Sequence, residues 1–305
     1  MIKRTEGYFQ GDSDTALRGP QHIGQKLTNH PSHGELFYQS WTGTKPRATL
    51  VLTHGIAEHS EAYHEVALDL VPKGWDIYAM DLRGHGRSEG RRGAIDDFHR
   101  YSRDLDRFVR YLRSGPLKDS KVPMVMFGHS MGGLITLRYL VDQGEASPAI
   151  AAVLSSPALG ISMPISPIKE FAAHALVRFL PTVTLPNDIP YDKLTHIEER
   201  WKKYPGDVLR HDKISPAMYF GMLEAFEKVG AGASRIKIPT LIVAAGDDHI
   251  VSRPAIESYF PKIGADKKKL IVYEKSYHEV LNDIEREQVI GDIDAFLGVV
   301  VGGAQ

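Results

Sequence analysis

The stretch Phe127-Gly128-His129-Ser130-Met131-Gly132-Gly133 decides how this chain is read. It closes a β-rich apolar run, 124–127, and leads into a helical stripe that starts at Leu134. A serine between a strand and a helix, with glycines two positions to either side, sits on a sharp turn that strains its backbone. The glycines remove the Cβ atoms that would strike the neighbouring chain. The hydroxyl then projects above the sheet, beside helix N–H groups that have no partner of their own. A bare G-x-S-x-G arises by chance in about one chain in ten at average glycine and serine frequencies, so the strand before it and the helix after it carry the weight. Ser130 is the candidate nucleophile.

Outward from this turn, short β-rich runs at 49–53, 75–80, 124–127 and 149–154 alternate with amphipathic segments. Tyr63, Val66, Ala67, Leu70 and Val71 share one helical face. Phe98, Tyr101, Leu105, Phe108, Val109 and Leu112 share another. Each crossover helix therefore has one side to bury. The pattern breaks at Pro157 and resumes with runs at 240–244 and 270–273 and a last helical stripe from Val289 to Val300. The expected class is α/β: a mostly parallel sheet covered by helices on both faces, with a helical cap inserted after the sixth strand. In residue bounds, 1–30 is an N-terminal extension with no assigned role, 31–157 and 234–300 form the core, and 158–233 form the cap, or lid.

Composition narrows the chemistry. Of 305 residues, 42% are apolar and 25% charged, with a net charge of −1 and no long run of one sign. Nothing here addresses nucleic acid or an anionic membrane surface. The absence of cysteine excludes disulfides, thiolate metal sites and a cysteine nucleophile, and fits a reducing compartment. The opening Met1-Ile2-Lys3-Arg4-Thr5-Glu6 has no apolar core of a signal peptide, so a cytoplasmic location is expected. Uncharged residues 146–168 are long enough to raise the question of a membrane span, but four prolines and five serines argue against one.

A serine hydroxyl needs a base to take its proton, and the base needs an acid to fix its tautomer. In this strand–turn–helix context the chain order is Ser, then Asp or Glu, then His, and both partners fall in loops at strand C-terminal ends. Gly246-Asp247-Asp248-His249 follows the run 240–244, and Ser276-Tyr277-His278-Glu279 follows the last strand. His278 is the base, as the only one of 14 histidines between that strand and the final helix. Asp248 is the preferred acid, with Asp247 as the alternative. Oxyanion donors are expected from the Met131 N–H and from the loop His54-Gly55-Ile56-Ala57-Glu58-His59, where the residue after His-Gly, Ile56, supplies the second N–H. His54, Glu58 and His59 read as loop-shaping residues. The segment Asp81-Leu82-Arg83-Gly84-His85-Gly86-Arg87-Ser88 lacks the signature of a phosphate or dinucleotide loop and reads as structural support beneath the site, with Asp104 as an interior ion pair or an exposed charge. No cofactor is required, and no histidine–carboxylate cluster has metal-ligand spacing.

Taken together, HGIAEHS (54–60), DLRGHGRSEG (81–90), GHSMGG (128–133), GDDHIV (246–251) and YHEVLND (277–283) resemble the monoacylglycerol lipase and lysophospholipase branch of the α/β-hydrolases, which includes serine aminopeptidase-like members. The resemblance spans about residues 31–297, strong in the core and loose in the insertion. It implies that the acid precedes the pair x-[IV], which favours Asp248, and that the HG-x donor is Ile56, a position where the family more often has a smaller residue. It implies serine ester hydrolysis through an acyl-enzyme, on monoacylglycerols or lysophospholipids. A small-ester carboxylesterase and an acyltransferase are the enzyme alternatives, and a silent ligand-binding protein is the alternative from another class. Dehalogenase and epoxide hydrolase readings fail because those relatives carry Asp where Ser130 stands.

Within the insertion, Ile168, Phe171, Ala172, Ala175, Leu176, Phe179 and Leu180 form an apolar face at i, i+3, i+4 spacing. Two uses fit: packing onto the core, or an acyl-chain tunnel whose outer side makes transient contact with a micelle or membrane. The expected partner is a small lipid or ester substrate; oligomeric state is not legible.

Overall fold

Strands β3 (Ala48–Thr53), β4 (Trp75–Met80), β5 (Met124–His129), β6 (Ala149–Ser155), β9 (Thr240–Ala245) and β10 (Lys268–Tyr273) fall on the six apolar runs, and all join one sheet. The structure, a computed structural model, describes residues 1–12, 34–164 and 167–303. Sheet order is β1-β2-β4-β3-β5-β6-β9-β10. The pairs from β4 to β10 are parallel, while β1 (Lys3–Gln10) and β2 (Glu35–Thr42) are antiparallel.

Burial on both faces explains why the central strands read as continuous apolar runs. β3, β4, β5 and β9 are buried at every position. Alternate residues feed two cores. Val51, Met80, Met126 and Leu154 meet α2 (His99–Ser114), α3 (Met131–Gln143), α6 (Pro216–Gly232) and α7 (Arg253–Tyr259) on one face. Leu52, Ile77, Phe127 and Val243 meet α1 (His64–Leu70) and α8 (Arg286–Gly302) on the other. All the residues named on the two early helical faces are buried. Each buried Val, Leu or Phe among them contributes about 1.5–3 kcal/mol of transfer free energy.

The N-terminal expectation is corrected. Residues 3–10 are a strand of the sheet and not a separate extension, paired residue for residue with β2 from Lys3 opposite Thr42 to Gln10 opposite Glu35. The strand was hidden because it lies at an edge and buries few side chains, Phe9 chief among them. Residues 13–33 lie outside the described residues.

Between β6 and β9, which pair directly, the chain leaves the sheet. This insertion holds α4 (Pro167–Phe179), the short ribbon β7 (Leu185–Pro186) with β8 (Lys213–Ile214), α5 (Glu198–Trp201) and α6. The apolar face read on α4 does not pack on the core: Phe171 is 78% exposed, Phe179 75% and Leu180 56%. Of that face's described side chains Leu176 alone is half-buried, beside the half-buried Ala173 and Val177 of the adjoining face, and His174 meets the Phe220 ring of α6 at 4.6 Å. Ile168 and Ala172 lie outside the described side chains. Among the described residues, no helix is long and apolar enough to cross a membrane.

Candidate active site

β5 ends and α3 begins with only Ser130 between them. Ser130 adopts φ +53°, ψ −123°, a conformation that L-residues rarely tolerate. Its N–H donates to Ser155 O at 2.9 Å, and its carbonyl accepts from Ala158 N at 3.0 Å, so the turn is pinned from the neighbouring strand. A Cβ on Gly132 would come within 2.1 Å of Thr53 O, and one on Gly128 within 2.6 Å of Gly132 O. The two glycines are therefore required by close backbone approach. Met131 heads α3, where first-turn N–H groups have no intrahelical partner.

Asp248 follows β9 and His278 follows β10, and the parallel register sets the two loops side by side. Asp248 Oδ2 lies 2.8 Å from His278 Nδ1. Its other oxygen accepts the N–H groups of Ile250 and Val251, each at 2.8 Å. Asp247 is exposed and faces His249 at 3.3 Å. It is thus Asp248, and not its neighbour, that reaches the histidine. With Nδ1 donating to the carboxylate, Nε2 is the basic nitrogen of His278.

Electrostatics follow from this geometry. Burial alone would lower the His278 pKa, but the Asp248 carboxylate and its hydrogen bond, backed by Glu279 and Glu58, outweigh burial and hold it above the ordinary value. Burial would raise Asp248. The facing His278 and the three donors to its carboxylate win and keep it below the usual range.

The loop after β3 carries Ile56, which is half-buried and faces the same cavity as Ser130 and His278. Its shape is set by its neighbours. Ala57 turns at φ +63°, and Glu58 accepts the Gly55 N–H and the Tyr63 hydroxyl, the latter at 2.8 Å. His54 accepts the Leu82 N–H on Nε2 at 2.9 Å and donates from Nδ1 to Gly55 O at 2.7 Å. His59 pairs with Asp207 of the insertion at 2.8 Å. Beneath the loop, the Asp81 carboxylate accepts Ser60 N and Arg87 N, each at 2.7 Å, and Arg83 closes on the fully buried Asp104 at 2.8 Å. The DLRGHG segment is therefore support, and Asp104 is the interior ion pair.

The cavity above Ser130 measures about 30 Å³, room for about two or three water molecules. Asn187, Ile189, Tyr191 and Arg210 of the insertion line both this cavity and a neighbouring one of about 460 Å³. These residues, together with Glu279, escaped sequence reasoning. The insertion has no pattern that predicts which of its side chains point inward, and the one available signal was the position of Glu279 next to His278.

Comparison with known proteins places this geometry. Residues 44–285 match the family described as serine aminopeptidase, S33. Human monoglyceride lipase is 30% identical over 292 residues, covering 90% of this chain and 93% of that protein. An uncharacterized abhydrolase domain-containing protein of Dictyostelium discoideum is 29% identical over 257 residues, 84% of this chain, and the chain spans 27% of that protein's length. The crystal structure of Paleococcus ferrophilus monoacylglycerol lipase matches with a TM-score of 0.77 at 28% identity, over 88% of this chain and 98% of that one.

Proposed function

The chain belongs to the serine aminopeptidase S33 family of α/β-hydrolases and is a serine hydrolase of carboxylic esters, and from that premise we propose that it cleaves lipid monoesters, monoacylglycerols or lysophospholipids, through an acyl-enzyme on Ser130. The observation that carries this reading is the 2.8 Å bond between Asp248 and His278, set beside a serine held at φ +53° at the head of a helix. Ser130 Oγ attacks the ester carbonyl while His278 Nε2 takes its proton. The Ile56 and Met131 N–H groups receive the oxyanion. His278 then returns the proton to the departing alcohol, and the acyl group stays on Ser130. A water molecule, deprotonated by the same nitrogen, attacks the acyl-enzyme and releases the acid. Asp248 keeps Nδ1 protonated and stabilises the imidazolium throughout.

Two relatives named as monoglyceride lipases support the lipid substrate. In this reading the insertion, 158–233, acts as a cap, and the exposed Phe171, Phe179 and Leu180 give it an apolar surface to set against a micelle or membrane. The small cavity at Ser130 favours a second reading, a carboxylesterase for short acyl chains.

Hydrolysis of p-nitrophenyl esters from acetate to palmitate, with Ser130→Ala alongside, separates the two. Turnover peaking at medium or long chains and lost in Ser130→Ala is the expected result. A peak at acetate would leave the mechanism and discard the lipid substrate. Added glycerol, with products analysed for acylglycerols, distinguishes hydrolysis from acyl transfer. No turnover and no labelling of Ser130 by a fluorophosphonate would point to a ligand-binding protein.

A further inference from the structure

Between α5 and β8 the insertion sends one arginine down towards the serine. The Arg210 side chain is 7% exposed, and its guanidinium lies 3.8 Å from the centre of the Tyr204 ring. Three carboxylates surround it: Glu58 Oε2 at 3.8 Å, Asp207 Oδ2 at 3.8 Å and Glu279 Oε1 at 3.9 Å. These are ion-pair distances, longer than hydrogen bonds, and Arg210 Nε is buried without a hydrogen-bond partner. The guanidinium therefore acts on its neighbours through charge and stacking.

Two of those carboxylates belong to the loops that carry the reacting groups. Glu58 lies two residues past Ile56 and ties down the Gly55 N–H and the Tyr63 hydroxyl. Glu279 follows His278; its carboxylate accepts from the Tyr204 hydroxyl at 2.6 Å and from Asn282 Nδ2 at 3.1 Å, and its N–H donates to Leu194 O of the insertion at 2.8 Å. Both side chains are buried. Two buried carboxylates on facing loops repel each other, and one protonates, unless a cation stands between them. Arg210 is always charged and is the residue in that place.

We propose that Arg210 is a positioning residue for the reaction: by neutralising Glu58 and Glu279 it holds the Ile56 loop and the His278 loop at their working spacing around Ser130. The seating of the insertion is thereby coupled to the competence of a site built on the sheet. The proposal rests on the reading above, in which Ser130 attacks an ester carbonyl.

The test is the pH profile of p-nitrophenyl butyrate hydrolysis by wild type, Arg210→Lys, Arg210→Met and Arg210→Met with Glu279→Gln, each checked for folding by circular dichroism. The groups facing His278 are the carboxylates of Asp248, Glu279 and Glu58 and the His129 ring at 5.0 Å. Loss of the cation leaves the carboxylates unopposed, which favours the imidazolium. In Arg210→Met, kcat should fall at least about tenfold while KM for this short ester stays within about threefold, and the acid limb should move to higher pH. Arg210→Lys should recover most of kcat, and the double variant should bring the limb back. Wild-type kcat and an unmoved limb in Arg210→Met would overturn the proposal, as would a loss that neither Arg210→Lys nor the double variant repairs. If Arg210→Met does not fold, Arg210→Gln is read in its place against the same outcomes. If the wild type turns over no ester, the ester reading has failed by itself, and the rate of fluorophosphonate labelling decides about Arg210. Slower labelling in Arg210→Met upholds positioning, and an equal rate or no labelling of either protein rejects it.

Discussion

Asp247 and Asp248 are one position apart in the chain and differ in everything that surrounds the carboxylate. Asp248 is fixed by two backbone N–H groups before it meets His278, so its orientation does not depend on the histidine. Asp247 has the solvent and a half-exposed His249. Asp248→Asn keeps the shape but offers an amide where a carboxylate should orient and stabilise the imidazole, and kcat should fall by about three to four orders of magnitude. Asp247→Asn should stay within about threefold of wild type. The wild-type profile carries a sign as well. The base must be neutral to act, and Asp248 keeps His278 protonated to higher pH than an ordinary histidine. The acid limb of kcat/KM should therefore lie above the reference value of about 6.5, with full activity on its alkaline side. A limb below that value would mean that burial, and not Asp248, governs His278.

At the scale of elements, legibility followed burial. Five of the six parallel strands, β3, β4, β5, β6 and β9, were readable because both faces of each are covered, which forces apolar residues at successive positions, while β10, at the edge, was readable from the shorter run Leu270 to Tyr273. Ser130, Asp248 and His278 were readable because they stand where strands of this kind end, in short loops with little freedom of position. β1 and β2 were not read: β1 is an exposed edge, and the apolar run of β2, Leu36-Phe37-Tyr38 with Trp41, is interrupted by the buried polar pair Gln39 and Ser40. α4 illustrates the opposite failure. Its spacing revealed an apolar face but not which way that face points, since helical periodicity is the same for a core contact and for a surface contact. The exposed outcome yields a test. Phe171→Ser with Phe179→Ser should leave the melting temperature nearly unchanged, within about 0.5 kcal/mol of stability, because neither ring is buried. Hydrolysis of a monoester presented in vesicles should drop several-fold while that of a dissolved short ester does not. A melting transition lowered by more than a few degrees would mean that the rings pack against something in solution.

On the scale of the whole molecule, the sheet separates what holds the fold together from what reacts. Ser130 leaves β5 near the middle of the strand order, flanked by the loops of β3, β9 and β10, while β1 closes the far edge. Arg210 was invisible in the sequence for the same reason that it matters in the fold: its partners Glu58 and Glu279 lie 152 residues before it and 69 after it, and only the folded insertion brings the three together. The N-terminal residues are tied to α2. Phe9 stacks against Phe108 and Tyr111 of α2 at 4.8 and 5.8 Å, and Asp12 receives Arg103 at 2.7 Å. Removing residues 1–12 should therefore cost at least about 3 kcal/mol, the usual loss for a buried phenylalanine alone. It would also uncover β2 as a new edge, rich in aromatic residues, and so promote association. The site should remain intact, because neither β1 nor α2 contributes a lining residue to the cavity above Ser130. Thermal denaturation and light scattering should register the truncation strongly, while kcat per mole of fluorophosphonate-reactive serine stays within about twofold of wild type. A large fall in kcat per reactive serine would mean that the edge strand and the centre of the sheet are coupled more tightly than their separation in the strand order implies.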